Sequence, residues 1–462
     1  FNFDYMSLKP SIPKGTRDYH PEIVLKRNYI TDIIRKVFIS YGYLEIKTPS
    51  FEKIKTLSGK YGNEGDRLIF NILNSGEKVK KADINSLKNN NISQFVCSIS
   101  EKALRYDLTV PLARYVSQYQ NEIKFPFKRF QIQNVWRADR PQKGRYQEFT
   151  QCDADVIGSN SLYLEFEMVQ MYSAVFKRLG LNKVEIKINH REILASISRK
   201  IELSDNFLDF VIILDKLSKI GIDKVISELK EKLGLKDKYQ SILNNIFKIK
   251  NSQETLTLIK DELIDDKSSD LAYRELKELH DLLCINSDDI INFSFDLNLA
   301  RGLDYYTGAI FEVINVSNQD YIGSVGGGGR YKNLTERFNS KNLPGIGISF
   351  GLERIFHLID DNDLFPEHIK TTNDVLVINF GKEYIHKILP IINKIRSDRN
   401  VSMYPDPVKL SKQFTYADKN KFNYVIIFGE EEMKKEIFKI KNLNSGKECI
   451  NSIKSHAKDF KF

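Results

Sequence analysis

The sequence predicts an α+β domain with a central, mainly antiparallel sheet and a helical insertion, followed by a small α/β domain. Three observations predict it. Residues 127–158, FKRFQIQNVWRADRPQKGRYQEFTQCDADVIG, hold two strand-like runs around a loop rich in Arg, Pro and Gly, the pattern of an antiparallel hairpin. Residues 195–288 change to successive Lys/Glu-rich segments with helical spacing, such as Ile222, Val225, Ile226, Leu229 and Leu233. From residue 374, short apolar runs (DVLVINF, YVIIFG) alternate with helical segments, as in a small α/β layer. The expected boundaries are 1–194 and 289–365 for the two parts of the first domain, 195–288 for the insertion and 372–462 for the last domain; 462 residues are too many for one typical domain.

The hairpin carries the most chemistry. Side chains alternate between the faces of a strand, so Arg129, Gln131, Gln133, Val135 and Arg137 share one face of the first run, and Phe149, Gln151, Asp153 and Asp155 share one face of the second. Cys152, Ala154 and Val156 take the opposite side, the natural core side. The expected result is a polar, charged platform with Arg137, Arg140 and Arg145 gathered around the loop. On an isolated hairpin such a face would simply be solvated. Here Gln and Asp sit among apolar strand residues, and the loop carries several guanidinium groups, which suit phosphate geometrically.

Taken in order, residues 8–20 form an extended lead-in punctuated by Pro. Pro21 opens a helix through Ile23, Tyr29, Ile30, Ile33, Ile34 and Val37 that ends near Tyr41-Gly42. Residues 43–53 read as a strand stopping at Pro49. Residues 71–100, with Lys78–Lys81 and an Asn run at 89–91, read as a solvated, irregular loop. In LRYDLTVPLARYV (104–116), Asp107 and Thr109 lie two apart and point the same way if the segment is extended; the alternative is a turn capped by Asp. An amphipathic helix is expected over 161–179 and an alternating strand over 184–190. The sheet resumes at FSFDLNLARGLDYYTGAIFEV (293–313), with a bend at Arg301-Gly302. The run GSVGGGGRY (323–331) fits a place where backbone approaches a ligand closely, because glycine loses the most entropy on folding and has little reason to lie in a core. PGIGISFGLERIFHLI (344–359) reads as a buried strand turning at Gly351 into a helix with Glu353 and Arg354 in its first turn.

Composition sets further bounds. No apolar run is long enough to span a bilayer, and the first residues lack a charged region followed by an apolar stretch, so neither a membrane span nor a secretory signal is expected. Cys97, Cys152, Cys284 and Cys449 lie far apart without CxxC spacing, which points to reduced thiols in a cytoplasmic protein. A net charge of +9, from 70 basic and 61 acidic side chains, favours a polyanionic partner, although Lys-rich composition also arises from genome bias.

Several of these strings, in this order, carry a resemblance over about residues 8–460. The helix and strand ending in Pro49 resemble motif 1 of the class II aminoacyl-tRNA synthetases, RADRPQKGRYQEF with QCDADVIG resembles their motif 2, and GISFGLERIF resembles their motif 3. RGLDYYTG and GSVGGGGRY are similar to the signatures of histidyl-tRNA synthetases. The resemblance implies an α+β catalytic domain, a C-terminal anticodon-binding domain and a homodimer built through residues 22–53. It implies histidine activation by ATP, with Mg2+ carried by ATP and no protein-only metal site, followed by transfer to tRNA(His).

It also implies roles. Arg137 and Arg301 would clamp the carboxylate and the α-phosphate. Arg354 would hold the distal phosphates with magnesium, Arg145 would assist ATP or the acceptor stem, and Gly327 would lie against ATP. Asp107, Thr109, Gln151 and Asp155 would face the amino acid, with Tyr146, Tyr305 and Tyr306 along the imidazole side. Relative to common members of the family some pocket acids are Asp rather than Glu, which shortens their reach by one methylene. A non-catalytic paralogue, a regulatory subunit or tRNA-sensing module, is the alternative; the retained arginines and residues 374–462 argue against it.

Overall fold

The computed structural model describes residues 9–59, 65–249, 251–286, 289–300, 306–316, 323–332, 335–338, 342–366, 369 and 373–462. Arg27–Leu364, with Phe1–Asp18, belongs to one compact unit, and Phe365–Phe462, with Tyr19–Lys26, makes the other. In the first unit the strands are β1 (Leu44–Glu45), β2 (Phe51–Lys53), β3 (Asn71–Ile72), β4 (Lys102–Leu104), β5 (Phe127–Trp136), β6 (Glu148–Ile157), β7 (Val184–His190), β8 (Phe293–Phe295), β9 (Tyr306–Asn315), β10 (Ser324–Tyr331) and β11 (Gly345–Gly351). Eight of them form one sheet in the order β1-β5-β6-β11-β10-β9-β7-β8. Its inner pairings are all antiparallel, and only the edge pairs β1–β5 and β7–β8 are parallel.

One face of this sheet is sealed by aromatic packing. Phe38, from the helix Pro21–Ser40, lies 5.4 Å from Phe130 and 5.8 Å from Phe350, and Phe350 meets Tyr172 at 4.9 Å and Phe176 at 5.7 Å. Tyr172 and Phe176 belong to the helix Tyr163–Arg178. That helix is not amphipathic as expected, because it is covered nearly all round. Its acids are internal: Glu167 accepts from Lys128 at 2.7 and 2.8 Å and from the Tyr43 hydroxyl at 2.8 Å, while Glu165 pairs with Arg330. Charges that a surface helix would show to water are here neutralised inside.

Two further expectations need correction. Residues 43–53 do not make one strand. The chain breaks around Pro49 into β1, at the edge of the large sheet, and β2, in a separate sheet of order β2-β4-β3. Residues 71–100 are not irregular: they hold the helices Ile84–Lys88 and Ile92–Ile99, with Asp83 accepting from Ser86 N at 3.0 Å and Asn91 accepting from Gln94 N at 3.2 Å. The Lys/Asn composition masked a pair of ordinary N-caps.

The glycine run lies in a core strand, contrary to expectation. A Cβ on Gly328 would sit 2.1 Å from the Gly347 carbonyl oxygen, and one on Gly326 would sit 2.7 Å from a Tyr172 ring carbon. The close approach is therefore between β10 and its own neighbours, and the run also borders the cavity described below. Gly328→Ala is expected to destabilise the first unit by roughly 3 kcal/mol, because the obstacle is backbone that cannot rotate away. An unchanged urea midpoint would show that β10 and β11 can separate without loss.

The insertion is a succession of helices, including Phe207–Leu214, Ile222–Leu233, Gln240–Lys248 and Lys267–Ile285. Ile222–Leu233 buries Val225, Ile226 and Leu229 and stops at Gly234, whose φ of +71° suits a residue without Cβ. In the second unit the strands β12 (Val375–Val377), β13 (Val401–Met403), β14 (Tyr424–Ile427), β15 (Ile437–Asn442) and β16 (Glu448–Ser452) take the order β13-β12-β14-β15-β16. The first three are parallel and the last two antiparallel. Val375, Val377, Ile388, Ile392, Ile426 and Phe438 form its core against the helix Lys382–Ile395.

Candidate active site

The other face of the large sheet is the floor of a cavity of about 1270 Å³. Register explains how residues far apart in the chain come together there. Gln131 pairs across with Asp153, Asp153 with Ser349, Ser349 with Gly327, Gly327 with Glu312, Glu312 with Lys187, and Lys187 with Ser294. Cross-strand partners share a face, so one row of side chains crosses seven strands. From Asp153 onward every member of that row lines the cavity.

Asp107, Thr109, Arg137, Arg145, Tyr146, Gln151, Asp155, Tyr306, Gly327 and Arg354 all line this one cavity. Arg301 and Tyr305 lie outside the described residues. Arg140 is exposed and is not part of the lining, so the loop brings two of its three expected guanidinium groups to the site. Thr109 is not in an extended segment: it begins the helix Thr109–Gln118, and Asp107 Oδ1 accepts from Val110 N at 3.1 Å. The capping alternative for Asp107 is thus real, and the same carboxylate borders the cavity. Pro111 is tolerated because its missing N–H falls in the first turn.

The carboxylate region is deeply buried. Arg129, fully enclosed, pairs with Asp155 at 2.8 Å, and the Tyr331 hydroxyl donates to Asp155 Oδ1 at 2.7 Å. Burial pushes the Asp155 carboxyl up, and Arg129 opposes that. Asp153 is pushed up to about 7, first by burial and also by Asp155, with Arg129 opposing. Gln151 Nε2 reaches Ser349 Oγ at 3.3 Å, while its buried Oε1 has no hydrogen-bond partner among the described residues. An acceptor left open beside buried carboxylates suits a donor cation arriving from the cavity.

Because its folded pKa is raised, Asp153 contributes stability that is complete below about pH 4 and lost as pH rises through about 7. Asp153→Asn removes that ionisation. The melting temperature of the variant is expected to fall less between pH 5 and pH 8 than that of the wild type, and parallel profiles would refute the burial argument.

The cationic region is built differently. The Arg137 guanidinium lies 4.3 Å from the Tyr106 ring centre and 5.1 Å from that of Phe149, and its Nε donates to the Tyr106 carbonyl at 3.1 Å. Among the described residues no carboxylate stands within ion-pair distance of it. Arg145 is braced by Asp139 through two bonds of 2.8 and 3.0 Å. Arg354 Nη1 donates to the Ser324 carbonyl at 2.6 Å, and a Cβ on Gly323 would come within 2.9 Å of that guanidinium. Glu353, its neighbour, also borders the cavity, but its carboxylate is already paired. It is buried and holds Arg27 at 2.7 Å and Arg17 at 3.0 Å, tying the N-terminal segment to the helix Leu352–Asp361.

Sequence reasoning passed over Asp139, Ser349, Glu312, Lys187 and Tyr331, and named Asp153 only as a platform residue. Strand alternation places Asp153 on the same face as Gln151, so that signal existed. The others depended on which strands become neighbours.

Six consecutive antiparallel strands between short parallel edges, closed by a strand-to-helix turn, form the catalytic sheet of a class II aminoacyl-tRNA synthetase. Residues 91–355 match the model of the histidyl-tRNA synthetase family, and residues 374–460 match that of the anticodon binding domain. A curated histidine–tRNA ligase from Christiangramia forsetii is 49% identical, and one from Flavobacterium johnsoniae 46% identical, each over 96% of this chain and 97% of its own length. The solved histidyl-tRNA synthetase of Nostoc sp. PCC 7120 superposes with a TM-score of 0.79 at 28% identity, covering 96% of this chain and 97% of that one. The chain belongs to the histidyl-tRNA synthetase family.

Proposed function

We propose that this protein joins L-histidine to the 3′ end of tRNA(His) in two steps. A histidine carboxylate oxygen attacks the α-phosphorus of ATP, and pyrophosphate leaves as the histidyl-adenylate forms. A ribose hydroxyl of the tRNA then attacks the acyl carbon, loses its proton, and AMP leaves. The observation that carries the reading is a single cavity lined by Asp107, Gln151 and Asp155 together with Arg137 and Arg354.

The first step gathers negative charge at phosphorus, so fixed cations supply most of the stabilisation. Arg137 is proposed for the carboxylate and α-phosphate, with Arg301 as its partner. Arg354 is proposed for the distal phosphates, Gly327 for close approach to the nucleotide, and Arg145 for ATP or the acceptor end. Asp107, Thr109, Gln151 and Asp155 are proposed for the amino acid. Tyr306 and Tyr305 are proposed for the imidazole side, with Tyr146 toward the helix Leu352–Asp361. Magnesium would enter on ATP, whose phosphate oxygens and water supply most of its ligands, and Glu312 on the cavity floor offers a carboxylate to it. The ion would neutralise phosphate charge.

A homodimer through residues 22–53 is supported by the exposed Ile39, Leu44 and Phe51 within that stretch. No helix among the described residues is long and apolar enough to cross a membrane, and the reading places the protein in the cytoplasm with its tRNA. A regulatory paralogue is not favoured, since the relatives at 46–49% identity are named as ligases. The test is ATP–pyrophosphate exchange with each amino acid in turn. Exchange with histidine and none with threonine, proline or glycine is expected; absence of histidine-dependent exchange would refute the assignment.

A further inference from the structure

The hairpin loop between β5 and β6 is fastened around Tyr146, with an exposed Lys143–Asp361 pair of 3.1 Å as a second tie to the same helix. The Tyr146 hydroxyl lies 3.2 Å from His357 Nε2, on the helix Leu352–Asp361, and the Arg17 guanidinium carbon lies 3.7 Å over the Tyr146 ring centre. Arg17 is itself held by Glu353 at 3.0 Å. The next residue adds a backbone tie, Gln147 N donating to the Gly15 carbonyl at 2.9 Å, and a Cβ on Gly15 would come within 2.6 Å of Gln147 Cγ. Three stretches distant in sequence therefore meet at Tyr146. On its other side stands Arg145, paired with Asp139 and lining the cavity.

Burial, then the Arg17 and Lys143 charges, hold the His357 imidazole below its ordinary pKa, with Asp361 and Glu353 opposing. The ring is accordingly neutral near pH 7, and in the tautomer with the proton on Nδ1 its Nε2 accepts a hydrogen bond from the Tyr146 hydroxyl. Nothing in the chemistry of adenylate formation calls for an imidazole at this place on the helix. What it does touch is the loop, through Tyr146.

We propose that His357 is a positioning residue for the nucleotide: by holding Tyr146, with Arg17 over the ring, it fixes the loop that carries Arg145 across the cavity. The proposal rests on the reading of that cavity as the ATP site. A loop ordered in advance does not draw its ordering from the binding energy of the ligand.

The test compares wild type, His357→Leu, His357→Gln, Tyr146→Phe and the His357→Leu/Tyr146→Phe double variant in histidine-dependent ATP–pyrophosphate exchange. His357→Leu is expected to raise KM for ATP about five- to tenfold, the worth of one hydrogen bond, with KM for histidine unchanged. His357→Gln, which keeps an acceptor, should recover most of the loss. The double variant should be no worse than the worse single one, since both remove the same contact. Unchanged KM for ATP in His357→Leu, independent multiplication of the two single effects, or a change confined to melting temperature would overturn the proposal. Amide hydrogen exchange of residues 138–147 without substrate reads the latch alone and should quicken in His357→Leu. Quickening in that variant with an inactive wild type would overturn the functional reading and leave the latch standing; no quickening would overturn the latch whatever the activity.

Discussion

Arg137→Ala is expected to lower the rate of histidine-dependent ATP–pyrophosphate exchange by about 10²–10³, the usual effect of removing one preorganised group that stabilises developing negative charge. The geometry singles out this residue. Its guanidinium is stacked between Tyr106 and Phe149 and anchored through Nε to the Tyr106 carbonyl, so its orientation is set before any ligand arrives. It has no carboxylate partner among the described residues to consume its charge. Arg145→Ala should do less damage, because Asp139 already offsets that guanidinium in the resting protein. Arg137→Lys should recover only part of the activity, since an ammonium neither stacks as a plane nor binds two oxygens in parallel. The melting temperature should move little in all three. Exchange close to wild type in Arg137→Ala would remove this residue from the reaction.

The second large effect is on stability. Arg129→Met is expected to cost about 3–5 kcal/mol, the penalty for leaving a buried carboxylate without its counter-charge. Asp155 would retain the Tyr331 hydroxyl but lose an ion pair of 2.8 Å at a site that is almost fully buried. Without Arg129 the Asp155 carboxyl, already raised by burial, rises further. The destabilisation should therefore be smaller at pH 5 than at pH 8, because protonation relieves the stranded charge. Adding Asp155→Leu to Arg129→Met should return part of the stability, since two apolar groups leave no charge to strand. Urea unfolding at the two pH values measures all of this, and equal midpoints for Arg129→Met and wild type would show that the pair is not needed to hold the floor together.

The hairpin was legible because a strand's side-chain period of two is a property of the local chain. The faces read from spacing alone, Arg129 to Arg137 and Phe149 to Asp155, are the faces that pair in β5 and β6. Helix starts were legible where a cap stood next to an apolar run, as at Pro21, and were missed at Asp83 and Asn91, where Lys and Asn dominate the composition. The glycine run was recognised as unusual but its place inside the core was missed, since no local signal says that Gly347 and Tyr172 also occupy the space beside it.

What the sequence determined by itself is the family, the residue types and the local elements that carry them, because motif strings, periodicity and turn residues act within a few positions of one another. What only the tertiary structure decided is which charges are spent and which stay open. Arg129 is committed to Asp155, Arg145 to Asp139 and Glu353 to Arg17 and Arg27, while Arg137, on the cavity wall, has no carboxylate partner among the described residues. Those pairings follow from the order and register in which distant strands and helices come together, and burial then raises the stakes of each: inside the protein a carboxylate must find its cation or its proton.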